Sequence, residues 1–266
     1  MKEIPSTKAY DKIRKDMQFL TECFQQVLSD LGEHQLSDLL TGEKNFKRDV
    51  PKGIDLEEKQ IQVLSIYLQL MNLVEENAAV QYRRKIVDTQ GMQFIRGSWS
   101  ETFQRWKTQG LNESQMQEIL TKIKVAPVLT AHPTEAKRIS ILELHREIYL
   151  NLTKLENTTY SSSERKVIAG DIMTLLERWW RTGEVYLEKP TVEWARNNVV
   201  QYLSKVCPLA LKRHDIDLKQ SWLKMGINNE KQSLTPDFPT LECGTRVGGD
   251  RDQYPYVSSA ASNSTL

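Results

Sequence analysis

The sequence predicts a mainly α protein, built of long helices with few short strands. Three observations predict it. Apolar residues recur at spacings of three and four through most of the chain, helix-start chemistry precedes several of these runs, and only two short segments have strand character.

From Asp11 to Leu31 the residues Ile13, Met17, Leu20, Phe24, Val27 and Leu31 fall on one side of a helix. A polar, Lys-rich connection covers residues 42–55, and a second helix begins near Leu56. In it Ile61, Leu64, Leu68, Met71, Ala78 and Tyr82 are read as the inward face, with Glu75 on the same stripe. A carboxylate there needs a wet margin or a partner, because burying an unpaired charge is costly. Arg83 and Arg84 on the next turn are read as ion-pairing residues for this helix or a neighbour. Gly91, Gly97 and Gly110 mark turns around a short helical piece at 100–108. Asn112 caps the next helix, with Gln115 as its capping-box partner.

KIKVAPVLTA, residues 122–131, is the strongest strand candidate. Pro127 argues against a central antiparallel strand but is tolerated where its missing donor is accommodated. A helix then runs to about Glu156, with Ile141, Leu144, Ile148, Leu152 and Leu155 on one face, widened by Ile139 and Leu142. Ser161 and Glu164 make a capping box for a helix whose stripe is Ile168, Ile172, Leu175 and Trp179. Trp179, Trp180 and Trp194 read as packing residues rather than a cofactor box. Pro190 reads as the first-turn proline of a helix carrying Trp194 to Leu203, and Pro208 as an interruption of the stretch after Leu203. A second short strand is expected around Thr240–Val247. Strand and helix alternation suggests a parallel sheet or barrel, yet two strands cannot close one. Either the strands flank a helical bundle, or the chain belongs to something larger.

Composition narrows the function classes. A chain of 266 residues with 39% hydrophobic and 27% charged residues is neither disordered nor fibrous. Its 36 basic and 35 acidic side chains give a net charge of +1, which offers no argument for a nucleic-acid or membrane partner. The N-terminus lacks the apolar stretch of a secretory signal, and Cys23, Cys207 and Cys243 match no zinc pattern or disulfide framework, so a cytoplasmic setting is expected.

Two segments carry chemistry. VAPVLTAHPTEAKR, residues 125–138, places His132 between the end of a strand and the start of a helix. Ligands bind at such strand ends in β/α architectures, and a helix N-terminus favours an anion. Thr130 and Thr134 add hydroxyls, while Lys137 and Arg138 sit in a first turn where basic groups oppose the helix dipole unless an anion lies beside them. The plainer reading makes His132 a turn residue and the two basic residues solvated. In GTRVGGDRD, residues 244–252, two glycines precede Asp250, Arg251 and Asp252. Arg251 either binds a carboxylate through both nitrogens or bridges the two aspartates and braces the loop. The spacing matches no phosphate-binding loop, and no metal ligand is assigned.

VLTAHPTEAKR at 128–138 resembles the histidine signature of the phosphoenolpyruvate carboxylases, and VGGDRDQYPYV at 247–257 resembles that family's GGDRDGNP-type motif. LMNLVEENAAVQYRRK at 70–85 and ERWWRTGEVYLEKPTVEWAR at 177–196 are similar to family segments in the same order. The resemblance implies a helix-rich (β/α)8 barrel, with residues 1–118 an N-terminal helical region and 119–266 the first part of the barrel domain, truncated at its C-terminus. It implies carboxylation of phosphoenolpyruvate by bicarbonate to oxaloacetate and phosphate, with Mg²⁺ or Mn²⁺ held by ligands outside this chain, in a homo-oligomer. His132 takes the family's catalytic position, helping carboxyphosphate release the CO₂ that an enolate captures. Arg138, Asp250, Arg251 and Asp252 are expected to support substrate or the active-site loop.

The chain departs from the family pattern in three places. Arg246 stands where a tryptophan is common, Gln253-Tyr254-Pro255 where Gly-Asn-Pro is, and Gly183 where an acid is. The sequence expectation is an N-terminal portion of a carboxylase, inactive by itself. The alternatives are a non-catalytic helical interaction or regulatory module derived from the family, and a different anion-binding or phosphoryl-transfer enzyme.

Overall fold

The helical pattern folds from near the N-terminus. A computed structural model describes residues 6–40, 54–129, 139–183, 192–226, 237–245 and 247. Helices α1 (Ser6–Asp30), α2 (His34–Leu40), α3 (Ile54–Thr89), α4 (Trp99–Thr108) and α5 (Glu113–Lys122) precede strands β1 (Lys124–Val125) and β2 (Val128–Leu129). Then come α6 (Ile139–Lys154), α7 (Ser162–Thr182), α8 (Val192–Gln201) and α9 (Cys207–Lys224), and strands β3 (Thr240–Leu241) and β4 (Gly244–Thr245). The fold is mainly α, as its sequence predicts. Packing divides the chain into two compact units, Met1–Arg84 with Lys137–Val185, and Lys85–Ala136 with Tyr186–Leu266.

The first unit has one core drawn from α1, α3, α6 and α7. Leu20, Phe24, Ile66, Leu70, Ile141, Ile148, Ile172 and Trp179 are all fully buried within it. Each such side chain contributes roughly 1.5–3 kcal/mol relative to exposure. On α6 the expected Ile141, Leu144, Ile148 and Leu152 are buried, and on α7 Ile168, Ile172, Leu175 and Trp179. Leu155 is half-buried just past α6, Leu142 stays exposed, and the Ile139 side chain lies outside the described ones. α7 starts where its capping box requires: Ser161 Oγ accepts the Glu164 N–H (3.3 Å), and a Glu164 carboxylate oxygen accepts the Ser161 N–H (2.8 Å). The Ser161 hydroxyl also donates to the Glu164 carboxylate (2.7 Å), and this bond, with the one from the Ser161 N–H, holds the Glu164 carboxyl below its ordinary range.

The inward face of α3 differs from the expected one. Ile61 and Leu68 are 67% and 53% exposed, Glu75 is exposed, and the buried stripe is Val63, Ile66, Leu70, Leu73, Val74, Asn77 and Ala78. Apolar residues surround α3 between residues 61 and 74, so more than one stripe satisfies the helical period. The core shared with α1, α6 and α7 selects among them.

The second unit is built around Phe103, Met116, Leu120, Leu218 and Trp222, contributed by α4, α5 and α9. Phe103 and Trp222 meet edge to face, with centroids 5.4 Å apart. Asn112 and Gln115 form a complete capping box at the head of α5. Gly91 (φ 99°) starts the 3₁₀ turn Met92–Phe94, a left-handed position that suits glycine. Pro208 does not interrupt the chain as expected. α8 continues through a π segment, Tyr202–Val206, into α9, and Pro208 lies in the first turn of α9. A first-turn residue needs no intrahelical N–H, and the wide turn, with the Cys207 N–H donating to the Tyr202 carbonyl, takes up the extra residue. Trp194 and Pro190 carry expectations outside the described side chains.

Candidate active site

The two strand segments read from the sequence pair with each other, in parallel, across more than a hundred residues. Lys124 lies opposite Thr240, Val125 opposite Leu241, Val128 opposite Gly244 and Leu129 opposite Thr245. The offset is the same throughout, so the two ladders form one register with a gap. Thr240, Glu242 and Gly244 donate their N–H groups to the carbonyls of Ile123, Val125 and Pro127, each at 3.0 Å. In a regular parallel ladder residue 127 donates to the carbonyl of residue 242. Proline has no N–H, and the gap falls there.

Beyond the gap the strands end together. Thr245 Oγ1 donates to the Leu129 carbonyl (3.2 Å) and accepts the Val247 N–H (3.1 Å). Val247 is buried and clusters with Leu129, Val199 and Leu203. Thr245 therefore joins the C-terminal ends of β2 and β4 with its side chain. The sequence reading assigned it no role, although a β-branched hydroxyl residue inside GTRVGG was visible. At the other end of the pair Lys124 and Glu242 make an exposed ion pair (2.9 Å), of the kind worth at most about 1 kcal/mol.

His132, Arg138, Asp250, Arg251 and Asp252 lie outside the described residues, as do Thr130, Thr134, Lys137 and Arg246. The structure places the strand ends from which both motifs leave. His132 follows Leu129 by three positions, and Asp250 follows Val247 by three.

Two other described histidines have structural surroundings. His145 packs on Trp179, with centroids 4.2 Å apart. Trp99 Nε1 donates to His214 Nε2 (3.0 Å). An indole can only donate, so the His214 proton sits on Nδ1, which faces an Asp215 carboxylate oxygen at 3.2 Å. A cleft of about 830 Å³ lies in the second unit, with Lys107, Lys224, Gln104 and Gln220 among its lining residues. None of its lining residues belongs to the strand pair. Among the described residues no group of three or more His, Cys, Asp or Glu side chains could hold a metal ion. Among the same residues no helix is long and apolar enough to cross a membrane.

Comparison with known proteins is consistent along the chain. The model of the family described as phosphoenolpyruvate carboxylase matches residues 43–266. A phosphoenolpyruvate carboxylase of Methylorubrum extorquens is 31% identical over 236 residues, which cover 87% of this chain and 24% of that protein. That of Gloeobacter violaceus is 28% identical, covering 96% of this chain and 28% of its own length. One from Haemophilus influenzae is 25% identical, covering 98% and 30% respectively. The chain thus spans 24–30% of the length of these relatives. With two motif-bearing strands paired in one parallel register and the family match running over most of its residues, this chain belongs to the phosphoenolpyruvate carboxylase family.

Proposed function

We propose that this chain supplies the His132 loop and the Gly248–Asp252 loop to the active site of a phosphoenolpyruvate carboxylase. The observation that carries the reading is the register of β2 on β4, with Leu129 opposite Thr245. Three residues reach at most about 11 Å, so His132 stays near the end of β2 and Asp250 near Val247. Both motifs therefore start from one end of one parallel pair, the end where β/α folds bind ligands.

The same pair supports the barrel. Parallel strands are ordinarily covered on both faces, whereas Val125 and Val128 are 45% and 48% exposed here. Further strands and helices of a (β/α)8 barrel, with residues 119–266 as its first part, would cover them.

In the proposed reaction a bicarbonate oxygen attacks the phosphorus of phosphoenolpyruvate, and the bond to the enol oxygen breaks. The products are carboxyphosphate and an enolate. His132 acts as the base that takes the carboxyphosphate proton, so that CO₂ and phosphate separate. The enolate carbon then forms the new C–C bond to CO₂, giving oxaloacetate. In this reading Arg138 and Arg251 balance anionic charge, and Asp250 and Asp252 orient Arg251. A divalent Mg²⁺ or Mn²⁺, held by ligands outside this chain, supplies neutralisation of phosphate charge. The setting proposed is cytoplasmic, within a homo-oligomer.

Bicarbonate-dependent oxaloacetate formation by the full-length protein, compared with His132→Asn, tests the reading. Loss of a general base costs roughly 10²- to 10⁴-fold, and a drop in kcat of at least about 100-fold is expected. An unchanged rate would remove His132 from the mechanism, and no oxaloacetate from the unsubstituted full-length protein would favour the interaction-module alternative.

A further inference from the structure

The cleft of the second unit carries charge of one sign. Lys107, in the last turn of α4, and Lys224, in the last turn of α9, both line it, and no aspartate or glutamate is among its described lining residues. Neither lysine makes an ion pair or hydrogen bond with a described residue. Each is suited to its own helix end, where a cation complements the dipole. That preference does not require two helices to bring their lysines to one cleft without a counter-charge, in a chain whose 36 basic and 35 acidic side chains nearly balance.

The neutral groups of the cleft add hydrogen-bond donors. The amides of Gln104 and Gln220 line it. Ser100 Oγ and Ser221 Oγ, which also line it, lie 2.8 Å apart, so one hydroxyl donates to the other. The hydroxyl that accepts keeps its own proton, and that proton has no acceptor among the described residues. Ser221 is only 6% exposed, and a buried donor left without an acceptor is costly. Met92 and Met225 give the same cleft an apolar wall. Its volume of about 830 Å³ falls within the range of small-molecule sites, roughly 300–1,000 Å³.

We propose that this cleft binds a small organic anion of the phosphate-monoester class, with its dianionic head at Lys107 and Lys224 and its organic part against Met92 and Met225. Two ammonium groups match the charge of a phosphate monoester, and a lysine meets a tetrahedral phosphate as a compact point charge. A planar carboxylate is better served by the fork of an arginine, and no arginine is among the described lining residues. The assignment rests on the lining of the cleft and not on the proposed carboxylase chemistry.

The test is titration of phenyl phosphate into the intact native protein with ¹³C-labelled methionine methyls, at mildly alkaline pH, where the monoester is dianionic. The Met92 and Met225 signals, assigned by Met92→Leu and Met225→Leu, are expected to shift saturably, while Met17 in the first unit stays in place. Lys107 and Lys224 are exposed, so Lys107→Gln and Lys224→Gln keep the fold. Each is expected to weaken the affinity roughly tenfold or more. Benzoate, with half the head charge, and inorganic phosphate, without the organic part, are expected to bind more weakly than phenyl phosphate. Arg251→Gln, in the loop of the proposed active site, is expected to retain the shifts. No saturable shift at Met92 and Met225, or an affinity unchanged in both lysine variants, would overturn the proposal. So would benzoate or inorganic phosphate binding as tightly as phenyl phosphate, or loss of the shifts in Arg251→Gln.

Discussion

Asn77 on α3 joins α1 to the turn that follows α6. It is fully buried, and its Nδ2 donates to Glu156 (2.9 Å) and reaches Asp16 (3.4 Å). Lys12 bridges the same two carboxylates. Two carboxylates at a helix junction are tolerable because one ammonium and one amide share them. Asn77→Ala removes the amide and leaves the acceptors in place, so a loss of about 1–3 kcal/mol is expected. Urea unfolding should show it as a lower midpoint at constant slope. The sequence offered Glu75 as the polar residue of this stripe, and the structure puts Glu75 in solvent. Periodicity locates a face to within a residue or two, which is too coarse to choose between neighbouring polar side chains.

Helix ends were readable from local chemistry. Both capping boxes, Asn112 with Gln115 and Ser161 with Glu164, form as expected, because a cap is satisfied by residues three apart. Strand positions were readable too, from β-branched runs. Their pairing was not, since a parallel ladder between residues 124–129 and 240–245 depends on everything between them. The hydroxyl of Thr245 fastens the ends of that ladder. Thr245→Val keeps the shape and removes both hydrogen bonds, each worth about 1 kcal/mol. In the full-length protein a several-fold fall in oxaloacetate formation is expected, measured beside thermal unfolding. A rate equal to the unsubstituted protein would show that the strand ends need no such fastening.

At the scale of the whole molecule, two cores with no shared residue take in the described helices except α8, whose Val199 packs in a smaller cluster with Val247. The chemistry asks for more than these residues hold. The proposed phosphoryl transfer depends on neutralising several phosphate charges at once, and His132 with Arg138 and Arg251 is too small a set. The 266 residues alone are expected to form no oxaloacetate from phosphoenolpyruvate, bicarbonate and Mg²⁺ in an assay coupled to oxaloacetate reduction. Detectable product would mean that the chain carries a complete site. The sequence by itself determined most of the helices, though not α2 or α9, the capping boxes of α5 and α7, the two strand segments and the family, because each is written in residues a few positions apart or in motifs that stay contiguous. Only the tertiary structure decided which side of α3 turns inward, how the chain passes Pro208, and that Leu129 lies opposite Thr245. Those outcomes depend on partners distant in sequence. A helix with several apolar stripes buries the one its neighbours can fill, and a strand takes its register from the strand beside it.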